Sequence, residues 1–588
     1  MIRKTPSPIR TQEIHISQPR TTIHATLKSG TVLEGSVGTP VGDFLIAAGE
    51  TGQENYDTLL MAAICDGKLR ELTYPLFRDT SIAPVLLSSS DGGRIYRRSL
   101  VMLMTTAVEE MCPGCQVSVR YAVPDGGFYC TLMSREPFTR KELDALEAYM
   151  REIVANDDPI GKSTVPLEDA VKLFQSRLEE DKVRLLEQRI RNDLTLYTLR
   201  NRSDYYYGYM VPSTGYLPHF RLIWVQDGFI LQYPRKENPT KLLEIKAYDK
   251  LSSVFRQTDD WLKRMDVADM GQLNRLLREH RVHELILVAE ALHEQRVAQI
   301  ATDICERHGR QGVRLVLIAG PSSSGKTTFA KRLAIQLLAH GVRPFTLEMD
   351  NYFVDREATP RDEDGEHDFE SIKAINLPLF NEQLLQLMNG DTVRLPRFDF
   401  HLGKSTQGPS ARLSENQIMI IEGIHGLNPG LVPDIPPEAV YRIYVSALTP
   451  LNIDLHNRIP TTDVRLLRRI VRDARTRGYN ATDTLKRWQS VRRGEKRNIF
   501  PYQENADVMF NSALVYELAA LRPIAEPLLL QVEPGTPPHI EANRLLSFLG
   551  WVHPLHPDLH RMLPDTSLLR EFIGGSSLSD YHPSQHNP

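Results

Sequence analysis

At 588 residues the chain is several times the usual domain size, so three or four folded units are expected, each long enough to bury its own core. Apolar residues at 41% and charged residues at 24% are those of a soluble globular protein, and a formal net charge of −4 gives no reason to expect bulk attraction to nucleic acid while leaving local basic patches open. No apolar run approaches the roughly 18 residues of a spanning helix, and residues 1–20 lack the apolar core of a secretory signal. A tail over 1–20, no membrane partner and a cytoplasmic location are therefore expected. Five cysteines are too few for a disulfide framework. Cys112-Pro113-Gly114-Cys115 has redox or zinc spacing, but only Cys130 lies nearby, so a tight Pro-Gly turn is its expected role.

In chain order, Ile23-His24-Ala25-Thr26-Leu27 alternates as a strand, Gly30 marks a turn, residues 32–37 return, and residues 40–48 read as a short amphipathic helix. Leu27-Lys28-Ser29-Gly30-Thr31 and Asp66-Gly67-Lys68-Leu69-Arg70-Glu71-Leu72 resemble the small ubiquitin-like TGS module of threonyl-tRNA synthetases, which sets an α+β unit over 21–88. Gly93-Arg94-Ile95-Tyr96-Arg97-Arg98-Ser99-Leu100, a helix to Met111, and Asp125-Gly126-Gly127-Phe128-Tyr129 resemble the second additional domain of the same enzymes, giving an α+β editing-like unit over 89–270. Two charged helices are expected over 167–180 and 183–200. In the synthetases an H-x-x-x-H pair edits mischarged tRNA; the matching positions here are Arg98 and Met102, so the resemblance implies no editing catalysis. Arg94, Arg97 and Arg98 near Tyr96, with Tyr205-Tyr206-Tyr207 later, allow RNA contact. The competing expectation is that the tyrosines fill a core and the arginines form a solvated face. Apolar spacing through Leu285, Val288, Leu292, Val297 and Ile300 predicts a long helix in a linking segment over 271–310.

The next stretch, Gly320-Pro321-Ser322-Ser323-Ser324-Gly325-Lys326-Thr327, fits G-x-x-x-x-G-K-[ST] between an apolar strand and a helical pattern. Its backbone N–H groups are expected to face the phosphates of a nucleoside triphosphate, with Lys326 adding a point charge and Thr327 offering a hydroxyl to Mg²⁺. Beyond it strands alternate with helices over 311–545, so a mostly parallel sheet is expected. Asp350, at the end of a strand expected to neighbour the phosphate loop, is suited to take the proton of an attacking hydroxyl and to attend the metal, although such an acid is otherwise an ordinary turn residue. Ile418-Met419-Ile420-Ile421 ends at Glu422, placed to hold Mg²⁺ or its water shell. No second adjacent acid and no N-K-x-D motif follow, which argues against an ATPase motor or a GTPase. Arg465, Arg468, Arg469 and Arg472 share one helical face, where guanidinium groups can converge on a moving phosphoryl group.

Gly320 to Thr328, Asp350-Asn351-Tyr352, Ile421-Glu422-Gly423-Ile424 and the run Arg468 to Gly478 resemble the uridine kinase and phosphoribulokinase family. The resemblance implies Asp350 as catalytic base, Thr327 and Glu422 at Mg²⁺, and Arg469, Arg472 and Arg477 as lid arginines over triphosphate and acceptor. It also implies acceptor contacts at Tyr352, Glu370, Phe398 and His401. The pyrimidine-reading segment is altered, with Phe398 where the family has tyrosine and His401 out of register, and Lys373 changes the charge of the ribose segment, so the acceptor is left open. The expected activity is transfer of the ATP γ-phosphoryl to a nucleoside 5′-hydroxyl. A sugar-phosphate kinase using Arg397, Lys404 and Lys373, and a nucleotide-gated RNA-binding protein, are the alternatives. A homo-oligomer is expected. Asn511 and Ser512 are expected near the nucleotide edge, and residues 546–588, rich in Pro and His, are expected to form a tail.

Overall fold

The computed structural model describes residues 18–50, 59–133, 135–189, 191–361, 365, 367–399 and 402–583. Of the tail expected over 1–20 only residues 18–20 fall among them, and His401 lies outside them. In the strand Thr22–Leu27, Ile23, Ala25 and Leu27 point inward, and the chain turns back into Val32–Ser36. Thr22–Leu27 pairs in parallel with Thr80–Leu86, and Leu60–Cys65 and Lys68–Arg70 complete a five-stranded mixed sheet. Val41, Phe44 and Leu45 of the helix Val41–Ala47 close its core. The α+β unit read from the first strands is thus present.

The helix Ser90–Met111 begins where the Ser89 side chain accepts from the Gly92 N–H at 3.0 Å. It packs with an antiparallel sheet ordered Arg221–Val225, Gly228–Gln232, Gly127–Leu132, Val117–Val123. Residues 183–200 depart from expectation. Only Glu180–Leu186 is helical there, and Asp193–Leu199 is the central strand of a three-stranded sheet. Its Leu194, Leu196 and Leu199 are buried, and the two-residue spacing of Leu194 and Leu196, with Thr195 between them and Tyr197 following, favours a strand over the charge pattern that suggested a helix. Cys112 and Cys115 are joined as a disulfide across the expected turn, whose Cα–Cα span of 5.5 Å suits such a bond. The helix Val282–Gln311 runs 30 residues with Leu285, Val297 and Ile300 inward, and ends at Gly312, whose φ of 76° suits glycine.

The sheet beyond it is all parallel, ordered Arg343–Glu348, Gln417–Glu422, Leu315–Ala319, Val440–Ser446, Val508–Asn511. This corrects one expectation: the phosphate-loop strand Leu315–Ala319 is flanked by the strands ending at Glu422 and Ser446, and the strand leading to Asp350 lies one further out. Strand order depends on crossover paths that local pattern does not encode.

One hydrophobic core joins Phe174 and Leu196 to Val316 and Phe329 of the phosphate-loop unit and to Leu545 and Phe572 near the C-terminus. Beside it the buried Lys182 ammonium lies 2.9 Å from Asp204 and 3.5 Å from Asp454, and His456 Nδ1 lies 2.8 Å from the second Asp204 oxygen. Burial works against the Lys182 charge, but the surrounding carboxylates outweigh it and hold the ammonium well protonated. The expected tail is also corrected. Residues 546–583 pack, with Trp551, Val552, Leu555, Leu563, Leu568, Leu569 and Phe572 in the core. Their helices, Pro557–Met562 and Arg570–Ile573, are too short to write a helical period.

Candidate active site

The phosphate loop leaves the buried strand Leu315–Ala319 and enters the helix Lys326–Ala339. A Cβ at Gly320 would lie 2.0 Å from the Val445 carbonyl oxygen, so only glycine fits there. Ser323 and Gly325 take positive φ, 58° and 87°, which curls successive N–H groups into an anion-receiving nest. The Ser323 and Ser324 hydroxyls are buried without a partner among the described residues. Lys326 Nζ donates to the Pro321 carbonyl at 3.3 Å, and burial lowers its pKa against the pull of Glu422, Glu571 and Asp350. Thr327 Oγ1 donates to Glu422 Oε1 at 2.8 Å.

Four carboxylates act on the lysine, those of Glu422, Glu571, Asp350 and Glu370. Burial raises Glu422 to about 7, with Lys326 and the Thr327 hydroxyl opposing. Burial likewise raises Glu370, opposed by Arg469 and Lys326. Asp350 keeps solvent access at the mouth of a cleft whose walls crowd it, and desolvation pushes its pKa up, opposed by the Lys326 charge. Among the described residues no three His, Cys, Asp or Glu side chains gather as a metal-ligand set. Thr327 and Glu422 are the oxygen pair that fits a hard divalent ion able to keep several waters, and their hydroxyl and desolvated carboxyl are the donors such an ion takes.

The arginines divide. Arg469 Nη1 donates to Ser322 Oγ at 2.8 Å and Arg465 Nε to the Ser322 carbonyl at 2.9 Å, so these two do converge on the loop. Arg465 is fully buried and paired with Glu495, whose Oε1 also accepts from the Ser322 N–H at 3.1 Å. Arg468 points elsewhere: it is buried on Glu517, 2.7 Å away, and on Ser512, which removes it from the expected convergent face and Ser512 from the nucleotide edge. Asn511 likewise turns its side chain to Leu448 and Ala513. Arg472 sits on Asp473 at 2.8 Å, Arg469 lies 3.3 Å and Arg477 3.7 Å from the same carboxylate. Asp473, a buried acid within the arginine run, gathers Arg469, Arg472 and Arg477. Arg477 also lies within electrostatic reach of Asp350.

On the acceptor side, Glu370 abuts Gly494 and joins the carboxylate group around Lys326. Tyr352, expected at the acceptor, is corrected to a core residue: it is 1% exposed, its hydroxyl donates to Gln383 Oε1 at 2.9 Å and its ring meets Phe380 edge-on. The one-turn 3-10 helix Met349–Tyr352 sends it inward while Asp350 stays at the cleft. Phe398 is buried, its ring 5.7 Å from that of Phe353, and Phe353 lies 6.1 Å from Phe369, which is 37% exposed. His367 lies 6.0 Å from Phe369. Phe353, Phe369 and His367 thus form an aromatic wall beside Glu370 that sequence reading passed over. Arg397, Lys404 and Lys373, expected for a phosphorylated sugar, are exposed. His425, also passed over, is fully buried and held neutral, its pKa lowered to about 4 by desolvation.

The C-terminal segment reaches this site. Leu568 packs where a Gly325 side chain would stand, and Glu571 Oε2 accepts from the Thr328 N–H at 3.2 Å and the Thr328 hydroxyl at 2.8 Å. Nothing in the composition of 546–588 signals that contact.

Residues 315–519 match the family model described as Phosphoribulokinase / Uridine kinase family. The C-terminal region carries a kinase domain of this family. The kinase domain is 19% identical to a possible uridine kinase from Bacillus stearothermophilus of known structure, covering 34% of this chain and 89% of that one with a TM-score of 0.24. The N-terminal region is similar to threonine–tRNA ligases: 34% identity over 170 residues to that of Marinobacter nauticus, 29% of this chain and 26% of the relative, and 32% over 222 residues to that of Methylococcus capsulatus, 38% and 33%. The chain thus spans about a quarter to a third of the length of these two ligases. Arg98 and Met102 bear on the editing resemblance. Met102 is wholly buried, and Arg98 donates to the Tyr209 carbonyl at 2.7 Å. Tyr96, Tyr205 and Tyr206 are core residues, as one expectation held, but the arginines do not form a solvated face: Arg94 pairs with Asp91 and Glu541, and Arg97 lies over Tyr233. Among the described residues no helix is long and apolar enough to cross a membrane.

Proposed function

We propose that the chain transfers the γ-phosphoryl group of ATP to a hydroxyl of a nucleoside, with Mg²⁺. The observation that carries this reading is the carboxylate of Asp350 at the cleft mouth, within electrostatic reach of Lys326 and Arg477. The acceptor O–H gives its proton to Asp350 as its oxygen attacks the γ-phosphorus in line, and ADP departs with the electron pair of the broken P–O bond. Lys326, the loop N–H groups from Gly320 to Thr328 and the arginines Arg469, Arg472 and Arg477 neutralise charge on the transferring group. Thr327 and Glu422 would hold the Mg²⁺, which would supply charge neutralisation for the phosphates when bound. Glu370 is suited to hold acceptor hydroxyls, and the wall of Phe353, Phe369 and His367 is suited to a planar base, which favours a nucleoside over a sugar phosphate. The test is a comparison of neutral nucleosides with pentose phosphates as acceptors. Neutral nucleosides are expected to turn over faster, and a marked preference for the phosphorylated acceptors would replace this reading with the sugar-phosphate one.

Two further outcomes are expected. Glu571 occupies the Thr328 N–H that an entering phosphate needs, and trading that charge-assisted bond for a neutral one in Glu571→Gln is expected to tighten Mg²⁺·ATP binding about tenfold by calorimetry. Weaker binding in that variant would make Glu571 part of the nucleotide site. The second outcome concerns pH. Glu422 titrates at about 7 without ligand, above its ordinary 4.5, so its contribution to ligand-free stability is present at low pH and is lost as pH rises through 7. A bound divalent ion favours the carboxylate and pulls that pKa down. Binding of Mg²⁺·ATP is thus expected to release a proton between about pH 5 and 7 and none well above, measured by calorimetry in buffers of different ionisation enthalpy. Glu422→Gln removes the release.

A further inference from the structure

A cavity of about 620 Å³ lies between the synthetase-like region and the kinase domain. One wall is the start of the helix Ser90–Met111 with the sheet strands Val117–Val123 and Gly127–Leu132, and the other is the start of the helix Thr461–Thr476 with the helix Ala481–Asn498. None of Lys326, Asp350, Glu370 or Glu422 lines it, so it is separate from the kinase cleft, although Pro321 and Arg465 bring it to the back of the phosphate loop. Its lining holds eleven Lys and Arg against five Asp and Glu. Most of the acids are committed: Glu541 and Asp463 to Arg544, Glu541 also to Arg94, and Glu237 to Lys496 and Arg235. Arg97, Lys236 and Arg458 form no ion pair among the described residues, and all three are largely withdrawn from solvent.

A cluster of like charges along the wall of a partly enclosed cleft destabilises a protein unless an anion balances it. The strain is visible at Lys236, whose pKa is lowered by burial and by Arg492, Arg94 and Arg493, and at Arg458, lowered by burial and by Arg97. Lys496 falls to about 8 by burial even though it is paired with Glu237. The helix Thr461–Thr476 opens onto the cavity with no side-chain cap at Pro460, which turns the positive end of its dipole to the same wall. The uncharged lining mixes small and polar residues with aromatic ones, among them Tyr233, Tyr248, Trp488 and Phe500, whose rings give the cavity apolar surface beside its cations. The volume is that of a site for a ligand of nucleotide size. The cations face inward, with kinase helices across from them, whereas an RNA strand is read from an open basic face.

We propose that this cavity binds a small organic polyphosphate, a second anionic ligand distinct from the nucleotide of the phosphate loop. The test uses the full-length chain carrying Lys326→Ala, which removes phosphate-loop affinity, with inorganic triphosphate as the probe in calorimetry. One equivalent is expected to bind, weakened about tenfold or more by Arg97→Ala or by Arg458→Ala, since each removes a charge-assisted contact, and left unchanged by Arg264→Ala on a surface outside the cavity. Without probe, Lys236→Ala and Arg458→Ala are expected to unfold at the same temperature as the parent or higher, because each relieves repulsion; a merely structural role for these cations would lower it. No binding of triphosphate in the Lys326→Ala background, or binding indifferent to Arg97 and Arg458, overturns the proposal. So does a structured RNA that binds through Arg97 and Arg458 where triphosphate and ATP do not.

Discussion

Asp350→Asn is expected to lower kcat by about 10² to 10⁴ while the Kd for Mg²⁺·ATP changes by no more than about twofold, since a general base contributes in that range and the phosphates are held elsewhere. The asparagine keeps the shape of the cleft mouth and removes the carboxylate proposed to take the acceptor proton. Among the described residues Asp350 makes no side-chain hydrogen bond to the phosphate loop that the substitution would break, and Lys326 and Arg477 act on it through charge. Single-turnover kinetics separate the two quantities. Equal loss of binding and turnover would assign Asp350 to the donor site instead of the acceptor.

The second large effect is expected at Arg469. Its guanidinium reaches Ser322 Oγ at 2.8 Å and is crowded by Arg472 and Arg477, so burial and like charge lower its pKa in the absence of ligand. That arrangement favours an anion, and the transferring phosphoryl group carries the charge to fill it. Arg469→Ala is expected to cost about 10³ in kcat/KM, the lower end of what arginine fingers supply. Asp473→Asn tests the positioning separately. With its charge removed, Arg469, Arg472 and Arg477 lose the carboxylate they share at 3.3, 2.8 and 3.7 Å. The expected result is a fall in kcat with Lys at position 469 unable to restore it, because a point charge cannot reproduce the fork of guanidinium contacts. A variant that loses stability but keeps its kcat would make Asp473 a packing residue only.

Some of this site was legible in the sequence and some was not, for separable reasons. The phosphate loop, Glu422 at the end of an apolar run and Asp350 after the next strand are written locally: each depends on a strand end or a helix start that neighbouring residues specify. The order of those strands depends on crossovers, and there the reading of Asp350 as next to the loop strand failed by one strand. Helical spacing placed four arginines on one face, yet a face cannot say what stands opposite. Glu495 and Glu517, from distant parts of the chain, took Arg465 and Arg468 into the interior. Tyr352 was misplaced because a single 3-10 turn reverses the side to which adjacent residues point. The aromatic wall of Phe353, Phe369 and His367 and the covering contact of Glu571 on Thr328 arise only when segments remote in sequence meet. The same holds for the union of the two halves. Lys182, Asp204, Asp454 and His456 come from both sides of the presumed boundary, and no composition shift announces their meeting.

The most direct test of the central claim is to incubate the purified chain with Mg²⁺ and ATP against a panel of neutral nucleosides and pentose phosphates, and to read the products by phosphorus NMR. The account predicts a new phosphomonoester on the hydroxyl of a neutral nucleoside, formed together with ADP. A chain that binds ATP and yields no phosphorylated acceptor, or only free phosphate, would contradict it.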